Sequence, residues 1–247
     1  MLNHRERVEV ARDAIDYLTG RDHAEMQLPV PNCPGWSVYN TAVHVGRVCV
    51  AWEQMMRCSP DDTTARDRAY EISGQRPPGA DPAELASWAH SAIDFLAGDE
   101  SRECFFSMTG GHGTTGLWAW HAASEIGVHR LDVESALGHP HAISDRATVD
   151  STTYACQFFL PAMRRVTGQD PGSVTAELLG ADGRLLDTVK IESEPAAAVH
   201  LRGPAVQMLL ALWGRPHVDI EVVDGDSEVL AGWRALPGAS FQFGTWN

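Results

Sequence analysis

The sequence lacks any long hydrophobic run: no apolar stretch approaches the ~20 residues that a helix needs to span a bilayer. It also lacks the apolar segment of a signal peptide, because Met1-Leu-Asn-His-Arg-Glu-Arg7 leads straight into an amphipathic pattern. No Cys-x-x-Cys pair occurs. The five cysteines, Cys33, Cys49, Cys58, Cys104 and Cys156, are odd in number, which fits reduced thiols and not a disulfide framework or a structural zinc knuckle. Positive charge is scarce. Nineteen Lys and Arg stand against 33 Asp and Glu, for a net charge of -14. That balance argues against a nucleic-acid partner, which needs a basic face against phosphate, and against an anionic membrane surface. Internal repeats and low-complexity segments are missing as well. Together these absences predict a soluble, cytoplasmic protein.

What is present describes an ordinary globular chain. Its 247 residues are 44% hydrophobic and 21% charged, enough for one large domain or two small ones. Eight Trp is a high count, and such residues often line cores and clefts. Val8, Ala11, Ile15 and Leu18 recur at helical spacing and predict a first helix over 4–27. Pro29, Pro31 and Pro34 break it, and Cys33-Pro-Gly-Trp36 makes a turn. Ser37 is an N-cap with Asn40 at the capping-box position, opening a second helix to about 57 that carries His44. Residues 59–80 read as loop with a helical turn around 65–72. Asp81-Pro82 opens a third helix to about 97. The Gly-rich stretch 109–116 reads as a loop. It has no Lys-Ser/Thr pair behind it and no clear strand before it, so it is not read as a phosphate cradle. A fourth helix runs from Trp118 and ends at Gly138-His-Pro140. Four such helices predict an antiparallel bundle over 1–142. A fifth helix over 145–166 leads into strands at 173–179, 185–191, 197–201 and 218–223. Ala181-Asp-Gly183 is a hairpin signal, and helices are expected from Gly203-Pro204 to Trp213 and over 227–235. Residues 143–247 therefore read as a small α+β domain, so the chain is mainly α with an α+β C-terminal part.

The chemistry concentrates in the fourth helix. His121, Glu125 and His129 recur every four residues, so they stack along one face, drifting ~40° per step. Two nitrogen ligands and a carboxylate in one row are what a first-row divalent cation uses. The row sits among Trp, Ala, Ile and Val. His44 sits among Val43, Val45 and Val48, another apolar setting. A set of His44, Glu125 and His129 would leave coordination positions open, the mark of a catalytic site and not a structural one. The other reading is core histidines bonded to backbone or carboxylates. His121 is a fourth ligand, a residue behind the ligands or a wall of the pocket. Lone cysteines read as small buried hydrophobes.

Pro34-Gly-Trp-Ser-Val38 followed by His44, then Glu125-x-x-Val-His-Arg-x-Asp132, resembles the mycothiol-dependent maleylpyruvate isomerase family. Leu201-x-Gly-Pro-Ala205, Leu209-x-x-Leu-Trp-Gly-Arg215, Val223-x-Gly-Asp226 and Trp233-Arg234 resemble the same family's second domain. The resemblance covers nearly the whole chain and implies a DinB-like four-helix bundle followed by that domain. It implies a divalent metal, usually zinc, on His44, Glu125 and His129, the three that the helix pattern and the apolar setting of His44 select. It implies a small thiol, typically mycothiol, as cosubstrate. Metal binding would lower the thiol pKa and hold a thiolate ready for attack on an electrophile, for cis–trans isomerisation or S-transfer. It further implies a basic residue from the second domain near the substrate. Arg215, Arg202 and Arg234 are the candidates, with Arg215 as the catalytic one. The other reading of Arg215 is a helix C-terminal cation beside the macrodipole. Arg130 and Asp132 orient a ligand or form a salt bridge, and Trp36 packs the turn before the His44 helix. Ser124 stands where many relatives carry a His, and the Gly-rich 109–116 stretch and the aromatic tail Phe241-Gln-Phe-Gly-Thr-Trp246 look individual. Two other functions remain: a metal hydrolase or lyase that uses no thiol, and a non-catalytic metal- or small-molecule-binding protein. The expected assembly is a monomer or homodimer.

Overall fold

The computed structural model describes residues 1–77, 79–193, 197–216, 218 and 220–240. The aromatic tail lies outside the described residues, as do His217 and Asp219 beside and within the expected 218–223 strand. The chain divides into two compact units, one of residues 2–142 and one from Ile143 onward that includes Met1.

In the first unit, α1 spans His4–Thr19, α2 His23–Met26, α3 Val38–Met56, α4 Ala65–Gly74, α5 Pro82–Leu96 and α6 Thr115–Leu137. The four long helices α1, α3, α5 and α6 all pack on one another, as the bundle reading expects. Their starts follow the cap residues. Ser37 accepts from Asn40 N while the Asn40 side chain accepts from Ser37 N. Asp81 and Glu84 form the same reciprocal pair. The first helix is shorter than expected. It stops at Thr19, and Gly20 caps it by donating to Asp16 O. Asp22 then accepts from Ala24 N and Glu25 N and starts α2. A stop and a new cap were thus hidden inside one continuous apolar period. The turn expected at 65–72 is a full helix to Gly74.

The Gly-rich stretch is corrected from loop to half of a hairpin. Strand β1, Glu103–Phe106, pairs antiparallel with β2, Gly111–Thr114, setting Cys104 opposite Gly113 and Phe106 opposite Gly111. A Cβ at Gly113 would lie 2.2 Å from Phe106 Cβ, so only glycine lets the Phe106 ring cross that strand. Phe106 in turn meets Trp118 edge-on, with ring centroids 5.0 Å apart. The Trp118 indole donates to Phe105 O at 2.8 Å. The glycines therefore serve packing beneath α6, and α6 is buried on most of its circumference.

In the second unit, α7 covers Asp145–Tyr154 and α8 Leu160–Thr167. The expected continuous helix over 145–166 is interrupted between them by a π-turn, Ala155–Phe159. Pro161 has no N–H to give to the preceding turn, and the widened turn re-spaces the carbonyls there. Four strands follow: β3 Ser173–Leu179, β4 Leu185–Ile191, β5 Ala198–Pro204 and β6 Glu221–Gly225, in sheet order β4-β3-β5-β6. The β3–β5 pair is parallel and the other two are antiparallel. The hairpin at 180–183 forms as expected, closed by Gly180 N donating to Arg184 O, with Gly183 at φ 76°. The fourth strand lies at Glu221–Gly225 instead of 218–223. Helix α9, Ala205–Leu212, and α10, Ser227–Ser240, complete the unit, the latter longer than the sequence pattern indicated. Val174, Ala176, Leu178, Val199 and Leu201 point into its core with Met208, Leu209 and Trp233.

All five cysteines are free thiols. Burial pushes Cys156 up to about 12 and Cys104 to about 11, and Cys49 is raised well above the usual thiol range. The half-buried Cys33 and Cys58 are expected to react with an aromatic disulfide reagent in the native protein. The other three should react only once urea has unfolded it. Five equally reactive thiols in native buffer would contradict these placements.

Candidate metal centre

Helices α3 and α6 pack side by side and bring His44 against the Glu125 row. One donor atom each from His44, Glu125 and His129 lie within 4.8 Å of one another. His44 Nε2 stands 3.4 Å from Glu125 Oε1. That is long for an N–H···O hydrogen bond, where about 2.9 Å is usual. It matches the edge of about 3.4 Å between two ligands at bond lengths of about 2.1 Å on one tetrahedral zinc. The donor set is two imidazoles and one carboxylate, borderline-soft nitrogen and hard oxygen, and it suits a first-row divalent cation. His44 and His129 are buried, with 6% and 7% exposure, so a cation there would meet solvent on few sides.

The surrounding groups fix the donors. The Trp36 ring lies parallel to His129 at 6.1 Å and tilted against His44 at 5.1 Å. The indole thus packs both imidazoles as well as the turn before α3. His121 is not among the converging donors. Its Nε2 lies 2.9 Å from Glu125 Oε2, the oxygen other than the one near His44. Trp52, Trp118 and Phe106 surround its ring. Of the three placements left open for His121, the geometry supports the residue behind the ligands. Burial alone would raise the Glu125 carboxyl. The nearby His121 and His44 outweigh it and hold Glu125 well below the usual carboxylate range. The ligand candidate is thus kept ionised. His121→Phe, which keeps the ring and removes the partner of Oε2, is expected to weaken cation affinity by about 10–100-fold. Competition against a chelator measures it, and an unchanged affinity would show that His121 does not orient Glu125.

Asp132 and Arg130 part company. Asp132 is fully buried, with Oδ2 3.4 Å from His129 Nδ1, beside a proposed ligand. Arg130 instead bonds Glu134 at 2.8 Å and lies over the Tyr17 ring, a structural salt bridge. Two neighbours were not read from the sequence. The Cys33 thiol donates to the same Asp132 oxygen at 3.4 Å. Tyr70, on α4, is raised to about 12, first by burial and then by the charge of Glu125. Neither carried a local signal: Cys33 is one of several lone cysteines, and Tyr70 sits in a short helical turn with nothing to tie it to the His44 helix.

The arginines belong to the second unit. Arg215 lies just beyond α9, and its guanidinium donates to Trp213 O at 3.0 Å. This is a helix C-terminal carbonyl, the contact expected of a cation beside the macrodipole. Arg234 donates to the carbonyls of Arg215 and Pro216, and Arg202 pairs with Glu177 at 2.7 Å. Arg202 is raised from the usual guanidinium range first by that hydrogen bond.

Residues 8–134 match the family model described as the mycothiol maleylpyruvate isomerase N-terminal domain. No curated protein sequence matches the chain. The fold is similar to a crystal structure of the mycothiol-dependent maleylpyruvate isomerase, at a TM-score of 0.61 and 15% identity. The match covers 91% of this chain and 95% of the other. A histidine-to-alanine variant of a mycothiol-dependent maleylpyruvate isomerase aligns over the same shares, at a TM-score of 0.60 and 15% identity. At that identity the likeness is one of fold.

Proposed function

For a chain that belongs to the mycothiol maleylpyruvate isomerase N-terminal domain family, we propose a metal-dependent enzyme that adds a small thiol to an electrophilic substrate and releases it again, giving cis–trans isomerisation. The observation that carries this reading is the convergence of His44, Glu125 and His129 donors within 4.8 Å on two facing helices. A divalent cation bound there, zinc by preference, supplies Lewis acidity that lowers the pKa of the cosubstrate thiol.

The chain's own residues would bind and orient. Two neutral imidazoles and one carboxylate carry a single negative charge, so the held cation keeps a net positive charge for an incoming thiolate. Glu125, with one oxygen toward His44 and the other on His121, cannot swing away without losing both contacts. Trp36 covers one side of the imidazoles and limits water there. The buried Cys49 thiol stays protonated under desolvation and the Glu125 charge, so it does not compete with a cosubstrate thiol. Arg215 is the proposed contact for a substrate carboxylate, supported by the resemblance of the Leu209–Arg215 stretch. S-transfer to an electrophile uses the same donor set and stops after the addition step. No helix among the described residues is long and apolar enough to cross a membrane, and a small-molecule substrate fits that.

The test is turnover of an activated cis-alkene, such as maleylpyruvate, with and without mycothiol. A trans product that forms only with thiol supports the isomerase. A stable thioether product supports the transferase. Turnover undiminished in thiol-free buffer would overturn the thiol role and favour a metal hydrolase or lyase.

A further inference from the structure

Among the described residues, donor side chains converge in a second place that the proposed mechanism does not use. Cys33, His129 and Asp132 also bring one ligand atom each within 4.8 Å of one another. We propose that these three form a second, thiolate-containing cation position beside the first, with His129 common to both.

The geometry is built by the fold. Asp132 follows His129 by three residues on α6, so both project from neighbouring positions on one face. Cys33 is held on a tight turn: its N–H donates to Val30 O at 3.0 Å, and its carbonyl accepts from Trp36 N at 2.9 Å. That turn aims Sγ at Asp132 Oδ2, 3.4 Å away, and the same oxygen stands 3.4 Å from His129 Nδ1. Two ligands on one tetrahedral zinc stand about 3.4 Å apart for nitrogen with oxygen and about 3.6 Å apart for sulfur with oxygen. Both separations are therefore already those of a shared cation. Asp132 is fully buried, and a cation would give its carboxylate a full opposite charge.

The two positions differ in chemistry. The His44 set is two nitrogens and one carboxylate. The Cys33 set is one sulfur, one nitrogen and one carboxylate, and its two negative ligands would neutralise a divalent cation outright. Thiolate softness directs it to zinc, cadmium or cobalt over magnesium or calcium. On binding, the Cys33 proton leaves to solvent, the S–H bond gives way to an S–metal bond, and no oxidant is needed; with both positions filled, His129 would bridge them through its two ring nitrogens and its N–H proton would leave to solvent as well.

This inference does not rest on the proposed isomerase activity, and cobalt spectroscopy tests it without turnover. The full-length chain is stripped with a chelator and titrated with Co(II) under reducing conditions. The expected result is a sulfur-to-cobalt charge-transfer band in the wild type that persists in His44→Ala and is lost in Cys33→Ser. Asp132→Asn, which keeps the shape, should weaken the band-forming equivalent at least tenfold. Cys33→Ser should still bind one equivalent through the His44 set, which shows that it is folded. A wild type without the band, or a band that survives Cys33→Ser, would overturn the second position. Loss of binding by Cys33→Ser with the band intact in His44→Ala would instead sink the first position and leave this one standing.

Discussion

Glu125→Ala and His44→Ala proteins are expected to lose the cation equivalent held by the His44, Glu125 and His129 set, keeping only what the Cys33 position binds, and to lose turnover together. Each substitution removes a third of the converging donor set, and Glu125 is the only charged donor in it. A metal acting as Lewis acid contributes several kcal/mol of transition-state stabilisation. Its loss corresponds to a fall in kcat/KM on the order of 10³-fold. Removing the Glu125 carboxylate also strips His121 and His44 of the group that faces them at 2.9 and 3.4 Å. Trp118, Ala122, Ile126, Val128, Leu131 and Val133 keep α6 packed in the core, so both variants should stay folded. Elemental analysis beside a far-ultraviolet circular dichroism spectrum separates the two effects. A native spectrum with full metal content in both variants would remove these residues from the ligand set.

Trp118→Ala is expected to be the most destabilising single truncation in the bundle unit. Trp118 is fully buried. Its loss opens a cavity against Trp52 and Phe106 and leaves Phe105 O without the indole donor. Truncations of this kind cost about 3–5 kcal/mol. A second effect follows, because the Trp118 ring packs against His121 at 5.5 Å and His121 holds Glu125. The variant should therefore bind the cation more weakly even under conditions where it is folded. Urea unfolding with and without bound metal measures both. A midpoint close to that of the wild type would contradict the packing role assigned to the hairpin and to Trp118.

The bundle was legible in the sequence because its signals are local. Ser37 and Asp81 announce helix starts through caps three residues long, and the 3.6-residue apolar period marks the buried faces. What was not legible depends on partners far along the chain. The Gly-rich strand needs Phe106 to cross Gly113, and Phe106 needs Trp118 beneath it. Nothing in 109–116 alone distinguishes that strand from a loop. The π-turn before Leu160 arises from a proline inside a helix that keeps its apolar pattern on both sides. At the candidate site, the His121–Glu125–His129 row is a property of one helix and could be seen. The selection between His121 and His44 as the third donor could not be made from helix periodicity. It depends on which Glu125 oxygen each imidazole faces. The Cys33–Asp132 contact joins residues 99 positions apart, and no spacing rule reaches that far. Arg215 shows the opposite case. The resemblance singled it out, and its local position after α9 accounts for its side-chain hydrogen bond to Trp213 O.

The central claim is that the His44, Glu125 and His129 set holds a cation on which a small thiol is activated. Titrating mycothiol into the Co(II)-loaded Cys33→Ser protein tests it most directly, since that background silences the neighbouring protein thiol. The account predicts a sulfur-to-cobalt charge-transfer band that grows to saturation with one thiol per protein and is absent when Glu125→Ala is added to the same Cys33→Ser background. A cobalt spectrum unmoved by saturating thiol would contradict it.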